Sequence, residues 1–127
     1  MLYMVGMKQR IRALEAEIKT IKRKLAALGE LRPGSLSQQY NVCGSRGCRC
    51  KASPPQRHGP YYQLSYTRKG KDGTRFVKQT DVPTIQKAMA NYTRLRDLID
   101  RWIDLSIELS DLKLELRTAG HTIAKRT

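Results

Sequence analysis

Three cysteines and one histidine in the middle of the sequence carry its most specific chemistry. Cys43, Cys48, Cys50 and His58 are spaced C-x4-C-x-C-x7-H. Three thiolates and one imidazole complete a tetrahedral shell for Zn²⁺ and leave no position for water, so the pattern predicts a structural zinc site. The spacing is not that of a standard zinc finger, and three alternatives stay open: reduced core thiols, a cluster whose fourth ligand lies elsewhere, or a surface histidine with a second chain completing the shell.

Basic and aromatic side chains are concentrated in the same part of the chain. Cations neutralise phosphates and aromatic faces stack on unpaired bases, so this combination indicates nucleic-acid binding. The alternative is a solvated basic surface, with Tyr62 and Tyr66 packed against a helix. The candidate contact residues are Arg46, Arg49, Lys51, Arg57, Tyr61, Arg68, Lys69, Lys71, Arg75 and Lys78.

The charge balance favours the same partner. The 127 residues carry 25 Lys and Arg against 11 Asp and Glu, a formal net charge of +14, and residues 31–81 alone hold ten basic and two acidic residues. Such an excess favours a polyanion, nucleic acid before membrane. No apolar run is long enough to span a membrane, and the first basic residues follow the N-terminal apolar stretch, which argues against a signal peptide. We therefore expect a cytoplasmic protein.

Six carboxylates towards the C-terminus raise the question of a metal-dependent enzyme. Their spacing of three and four residues among arginines is typical of a solvated helix face. No Ser/His/Asp arrangement, phosphate-cradling glycine loop or H-E-x-x-H motif occurs in the sequence. We therefore expect no catalysis. The carboxylates are Asp97, Asp100, Asp104, Glu108, Asp111 and Glu115.

Two apolar repeats predict the helices that position these residues. In each repeat, seven apolar residues alternate steps of three and four, the a/d seam of a coiled coil. Gly29 and Pro33 end the first helix, while Asp81 and Pro83 begin the second and Gly120 ends it. The seams are Met7, Ile11, Leu14, Ile18, Ile21, Leu25 and Leu28, and Leu95, Leu98, Trp102, Leu105, Leu109, Leu112 and Leu116.

The second helix carries further apolar residues outside its seam. Ile99, Ile103, Ile107 and Leu114 widen the apolar stripe beyond what one partner helix covers. This width predicts a homodimer or higher homo-oligomer through these residues, most simply a four-helix bundle. The alternative is that they cover the core of a monomer.

The segment between the helices predicts an antiparallel sheet. Residues 61–67 and 74–78 are β-prone, and residues 68–73 between them predict a turn or loop in which Asp72-Gly73 is a strong turn pair. Alternation puts Tyr62, Leu64 and Tyr66 on one face and Tyr61 on the other. Residues 35–42 predict a third strand, although Ser35-x-x-Gln38 also fits the start of a short helix.

These motifs resemble a family of small uncharacterised bacterial and archaeal proteins. Its members share a C-G-x-x-G-C-x-C … H-G-P-Y-Y pattern followed by a basic K-G-K stretch and a leucine-rich helix. Here the pattern comprises Cys43-Gly44, Gly47-Cys48-Arg49-Cys50, His58-Gly59-Pro60-Tyr61-Tyr62 and Lys69-Gly70-Lys71, and the resemblance covers about residues 33–118. It implies that the cysteines and His58 form one site. Members often lie near mobile elements, which favours DNA, and the resemblance implies no activity.

Together these patterns predict an α+β fold. A long antiparallel, coiled-coil-like helical hairpin carries a small inserted antiparallel β head stabilised by Zn²⁺. The expected segments are a first helix over 1–30, the head over 31–80, a second helix over 81–119 and a basic flexible tail over 120–127. The predicted function is non-catalytic binding of DNA or RNA by the head, with the helices mediating oligomerisation. The alternative is an assembly or adaptor protein whose helices recruit a partner such as a transposase.

Overall fold

The protein has an α+β fold with two helices and a three-stranded antiparallel sheet among its described residues. The computed structural model describes residues 2–41, 47–49 and 58–126, with side chains for 2–40, 47–49 and 60–120. The α+β class and the antiparallel sheet expected from the sequence are confirmed. The elements are α1 (Leu2–Ala26), β1 (Ser35–Asn41), β2 (His58–Arg68), β3 (Lys71–Val77), a 3₁₀ turn (Gln79–Asp81) and α2 (Val82–Arg126).

The contacts within the chain divide it into two compact units. Residues 1–28 and 94–127 form the first, here called the helical unit. Residues 29–93 form the second, here called the sheet unit, which includes the first turns of α2. Each unit has buried apolar residues of its own.

The core of the helical unit consists of the two predicted seams. Leu14 of α1 is 0% exposed and Leu105 of α2 is 1% exposed, and each such burial contributes about 1.5–3 kcal/mol. Ile18 and Ile21 complete the buried cluster, and Trp102 packs against it. The ammonium of Lys22 lies 5.2 Å from the centre of the Trp102 ring. The three-four periodicity therefore identified the contact face of both helices.

Polar pairs along the seam show that the two helices of this unit run antiparallel. Residues at the start of α1 contact residues near the end of α2, and later residues of α1 contact earlier ones of α2. Because the ion-paired side chains remain roughly half exposed, they contribute little beside the apolar seam. The hydrogen bond from Arg10 lowers the pKa of the Glu108 carboxyl. The pairs are Tyr3 with Glu115, Arg10 with Glu108 at 2.8 Å, and Arg101 with Glu17 at 2.9 Å.

The helix ends differ from the expected positions by a few residues. α1 ends at Ala26, ahead of Gly29 and Pro33, whereas α2 begins at Val82 with Pro83 in its first turn. The backbone of α2 continues through Gly120 to Arg126. A glycine inside a helix costs about 1 kcal/mol relative to alanine, which weakens a helix without ending it.

β2 is the central strand of the sheet, and its pairing defines the two faces. Leu64 of β2 lies opposite Leu36 of β1 and Arg75 of β3. This pairing confirms a strand over residues 35–41 in preference to the short helix. Leu64 is 1% exposed, and Tyr62 and Tyr66 beside it are half-buried, so this is the inner face of the sheet.

The turn between β2 and β3 lies within the segment 68–73 that the sequence predicted as a turn or loop. Lys69 and Gly70 form it, with φ of 52° and 77°, and Arg68 pairs with Lys71. A two-residue turn of this kind needs positive φ at both central positions, and Gly70 adopts it without steric cost. Within the predicted turn segment, the chain therefore reverses at Lys69-Gly70 and not at the Asp72-Gly73 pair. Gly73 instead lies opposite Tyr66 inside the strand pair, where an added Cβ would lie 2.8 Å from Tyr66 Cε2.

The segment between α1 and the sheet is held by hydrogen bonds to the first turns of α2. The backbone N–H of Arg32 donates to the Ala88 carbonyl at 3.1 Å, and the Asn91 amide donates to the Glu30 carbonyl at 3.0 Å. Gly34, immediately before β1, has a φ of 133°. A Cβ at this position would lie 2.7 Å from the Ser65 carbonyl oxygen. Only glycine fits this close approach of two backbones.

Replacing Gly34 with alanine should therefore destabilise the protein by about 2 kcal/mol or more, through positive φ and the backbone clash together. Urea unfolding followed by circular dichroism measures the change. Gly6→Ala is the matched control, because nothing lies within 4 Å of its added Cβ, and it should gain up to about 1 kcal/mol as a helix position. Equal midpoints for Gly34→Ala and the parent would contradict the close approach of the two backbones.

Candidate nucleic-acid interface

The tip of the β2–β3 hairpin carries three of the predicted contact residues. Arg68 and Lys71 lie directly opposite each other on either side of the turn, and Lys69 occupies the turn itself. All three are exposed. Like charges directly opposite in a strand pair are destabilising, so this arrangement costs stability without a partner of opposite charge. The nearby Asp72 accepts a hydrogen bond from Thr67 at 2.5 Å.

Two further predicted residues lie along β3 and just after it. Arg75 and Lys78 are both exposed, and they line one groove of about 380 Å³. Leu64, Phe76, Val77 and Ile85 supply its apolar surface. Arg32 adds a third cation to the groove and Asp81 a single carboxylate.

The sequence analysis did not identify Arg32 as part of this groove. Its guanidinium lies 4.4 Å from the centre of the Tyr66 ring, a stacking arrangement that orients the side chain. The Arg32 Nε is buried and has no hydrogen-bond partner in the described part of the chain. Arg32 follows α1 in an irregular segment outside both apolar repeats, so no periodic signal was available to find it.

The five cations of the hairpin and β3 form no ion pair with a carboxylate within the described side chains. All five are exposed, so their charge faces solvent and is not offset by a carboxylate among the described residues. These cations are Arg68, Lys69, Lys71, Arg75 and Lys78.

The aromatic residues of β2 and β3 are divided between the two faces of the sheet. Tyr62 and Tyr66 are half-buried on the inner face, in agreement with the expectation that they pack inward. Tyr61 lies on the opposite face and is 40% exposed. Phe76, which the sequence analysis did not single out, is 70% exposed. Its position opposite Gln63 in the register places it on the same face as Tyr61.

The predicted metal ligands lie only partly within the described residues. Cys48 is half-buried, and Gly47 before it has φ 77°, the left-handed conformation expected of a glycine that turns the chain there. His58 begins β2, where its backbone pairs with Asn41 at the end of β1. Among the described residues, no group of three or more His, Cys, Asp or Glu side chains is placed to hold a metal.

The other predicted ligands and three of the predicted cations lie outside the part of the chain that the structure describes. They are Cys43 and Cys50, with Arg46, Lys51 and Arg57; the His58 side chain also lies outside it. Arg49 is described and exposed.

The residues predicted to mediate oligomerisation form an exposed apolar stripe on α2. Ile99 is 37% exposed, Ile103 is 52% exposed, and Ile107 and Leu114 are each 56% exposed. Trp102, Ile103 and Ile107 line a shallow depression in the same surface. Within a single chain, α1 therefore leaves this stripe uncovered.

Comparison with known proteins identifies a family. The model of the domain of unknown function DUF6788 matches residues 11–87, more than half of the chain, so the protein belongs to this family. The resemblance to an uncharacterised family is thereby confirmed. No curated protein and no solved structure matches the chain. Over the described residues, no helix is both long and apolar enough to cross a membrane.

Proposed function

We propose that the protein binds nucleic acid without catalysing a reaction, and that the sheet unit makes the contacts. The observation that carries the proposal is the set of five exposed cations on the β2–β3 hairpin and β3, none paired with a described carboxylate. A phosphate backbone supplies the missing negative charge, and binding releases the counterions condensed on it. The excess of basic residues over the whole chain favours a polyanionic partner. The resemblance to proteins that often lie near mobile elements favours DNA before RNA.

The groove beside β3 supplies a second phosphate contact. Arg32, Arg75 and Lys78 place three cations against one carboxylate, that of Asp81. An arginine can bind phosphate with two parallel hydrogen bonds, and the Arg32 side chain is already held against Tyr66. Binding there loses less side-chain entropy than binding to a free arginine.

We also propose that Cys43, Cys48, Cys50 and His58 bind one structural Zn²⁺. The pairing of Asn41 with His58 brings the two ends of segment 42–57 side by side. Such a metal would close the segment that joins β1 to β2 and would supply stability to a unit with few large apolar residues. The complete ligand shell leaves the metal no catalytic role.

For the architecture, we propose an antiparallel helical hairpin that carries the sheet unit as an insertion and self-associates through α2. The exposed stripe of Ile99, Ile103, Ile107 and Leu114 supports self-association, because contiguous exposed apolar side chains favour an interface. Two copies of the stripe would pair isologously in a dimer. We propose the cytoplasm as the location, since reduced cysteines suit a zinc site.

The same stripe supports a second candidate function, an adaptor whose helices recruit a protein partner such as a transposase. In that case the exposed face of α2 binds the partner, and the basic residues of the sheet unit serve solubility. The two functions differ in which surface binds, so variants of each surface separate them.

Changing Arg68, Lys69 and Lys71 together to alanine should weaken binding to all nucleic-acid sequences alike. The slope of log K against log salt should also become shallower by about one for each phosphate that is no longer neutralised. Fluorescence anisotropy with a labelled duplex at two or more salt concentrations measures both. The control is Lys8, Arg12 and Lys19 changed to alanine, which removes equal charge from exposed positions of α1. Equal binding of the hairpin variant and the parent at low salt would favour the adaptor.

Elemental analysis of the purified protein should find about one Zn²⁺ per chain, because the four ligands form one complete shell. Cys48→Ser should release the metal and lower the stability of the protein. His121→Ala, which changes the second histidine of the chain, is the control and should retain the zinc. Absence of zinc, together with an unchanged circular dichroism spectrum after chelation, would refute the site.

Ile103→Glu or Ile107→Glu should dissociate the oligomer, because the substitution buries an unpaired carboxylate in an apolar interface. Light scattering coupled to size-exclusion chromatography measures the mass. Asp104→Lys, an exposed neighbour outside the stripe, is the control and should leave the oligomer intact. A monomeric parent would refute self-association through α2.

A further inference from the structure

We propose that the outer face of the sheet binds single-stranded nucleic acid, with Phe76 and Tyr61 stacking on bases and Lys78 contacting a phosphate. The outer face is the face opposite Leu64. This inference rests on the proposed function and adds the class of strand that this surface recognises, together with a contact residue, Phe76, that carries the recognition.

The exposure of Phe76 is unexpected for its place in the sheet. The solvent face of an antiparallel sheet is ordinarily polar, while its apolar residues face inward. The other residues of the outer face follow this rule: Ser35, Ser37, Gln39, Gln63, Ser65, Thr67, Asp72 and Thr74. The only phenylalanine of the chain nevertheless lies on this face with 70% of its surface exposed.

A single exposed apolar side chain is common and needs no explanation. Phe76, however, has an exposed aromatic neighbour on the same face. Phe76 pairs with Gln63, and Tyr61 is two residues from Gln63 along β2, so the two rings occupy diagonal positions. Diagonal neighbours lie about 7–8 Å apart, within reach of aromatic side chains. Two aromatic faces therefore lie next to each other on an otherwise polar surface.

Lys78 supplies the charge that such a platform needs. Its backbone is extended, with φ −66° and ψ 144°, so it continues the alternation of β3 and lies on the side of Phe76. Tyr61, Phe76 and Lys78 line one shallow depression, of about 370 Å³. Among the described residues of this face, the single carboxylate, Asp72, is four residues from Phe76, about 13 Å along an extended strand.

Two aromatic faces and a cation are the elements with which proteins bind single strands without reading sequence. The bases of a duplex are covered on both faces by their neighbours, which lie about 3.4 Å apart along each strand. The separation of about 7–8 Å between the diagonal residues that carry the rings is larger than this stacking distance, which suits bases that have been unstacked from each other. The platform therefore favours a single strand over a duplex.

Anisotropy titrations with labelled oligo-dT, oligo-rU and a duplex of the same length test the proposal. Phe76→Ala should weaken binding to the single strands about 5- to 150-fold, and Tyr61→Ala should act in the same direction. Neither should change duplex binding more than about twofold. Phe76→Trp should retain single-strand binding because it keeps an aromatic face, whereas Phe76→Leu should not. Ser37→Ala, on the same face, is the control, and urea unfolding checks that every variant is folded.

The outcomes separate this inference from the proposed function. If the hairpin variant loses binding while Phe76→Ala binds both single strands like the parent, the phosphate contacts stand and the stacking platform is refuted. If the parent binds none of the probes, the proposed function fails and this inference fails with it. If Phe76→Ala changes the mass of the oligomer instead, the outer face is an interface between copies of the chain and the proposal is overturned. A preference between oligo-dT and oligo-rU in the parent identifies the strand as DNA or RNA.

Discussion

The burial of Leu64 sets the register of the whole sheet. It occupies the middle of the central strand and is almost completely shielded from solvent, so a slip of one residue would move it to the outer face and expose it. Leu36 and Arg75 lie beside it because the cross-strand pairs place them there. Gly34 allows the chain to approach the Ser65 carbonyl, which keeps β1 in this register.

The same register assigns each candidate contact residue its place. Since neighbours along β2 alternate between faces, burying Leu64 places Tyr61 on the outer face and Tyr62 on the inner one. On β3 the alternation places Arg75 at the groove that Arg32 also lines. It places Phe76, the next residue, on the outer face. Phe76 and Lys78 border both the basic groove with Arg32 and Arg75 and the shallow depression with Tyr61, so cations and aromatic rings lie next to each other along β3.

The α2 helix combines two kinds of apolar residue with different surroundings. Leu105 and its neighbours in the seam pack against α1. Ile103 and Ile107 remain more than half exposed within the single chain. An exposed apolar stripe on a charged helix lowers solubility unless it is covered, so its presence favours an interface. The ion pairs between the helices are exposed and contribute orientation more than stability.

Much of this organisation was determined by the sequence alone. The three-four spacing of apolar residues identified both helices and their contact faces, and period-two alternation separated Tyr61 from Tyr62, because both signals depend only on local backbone geometry. The concentration of cations between the helices was likewise visible from composition.

Other features depended on the pairing of distant segments. Within the predicted turn segment 68–73, the chain reverses at Lys69-Gly70 and not at Asp72-Gly73, because the cross-strand register, and not local propensity, selects which residues reverse the chain. Phe76 became a candidate contact residue only because the register places it beside Tyr61. Arg32 became one only because packing places it against Tyr66. Residue spacing along the chain encodes neither of these contacts.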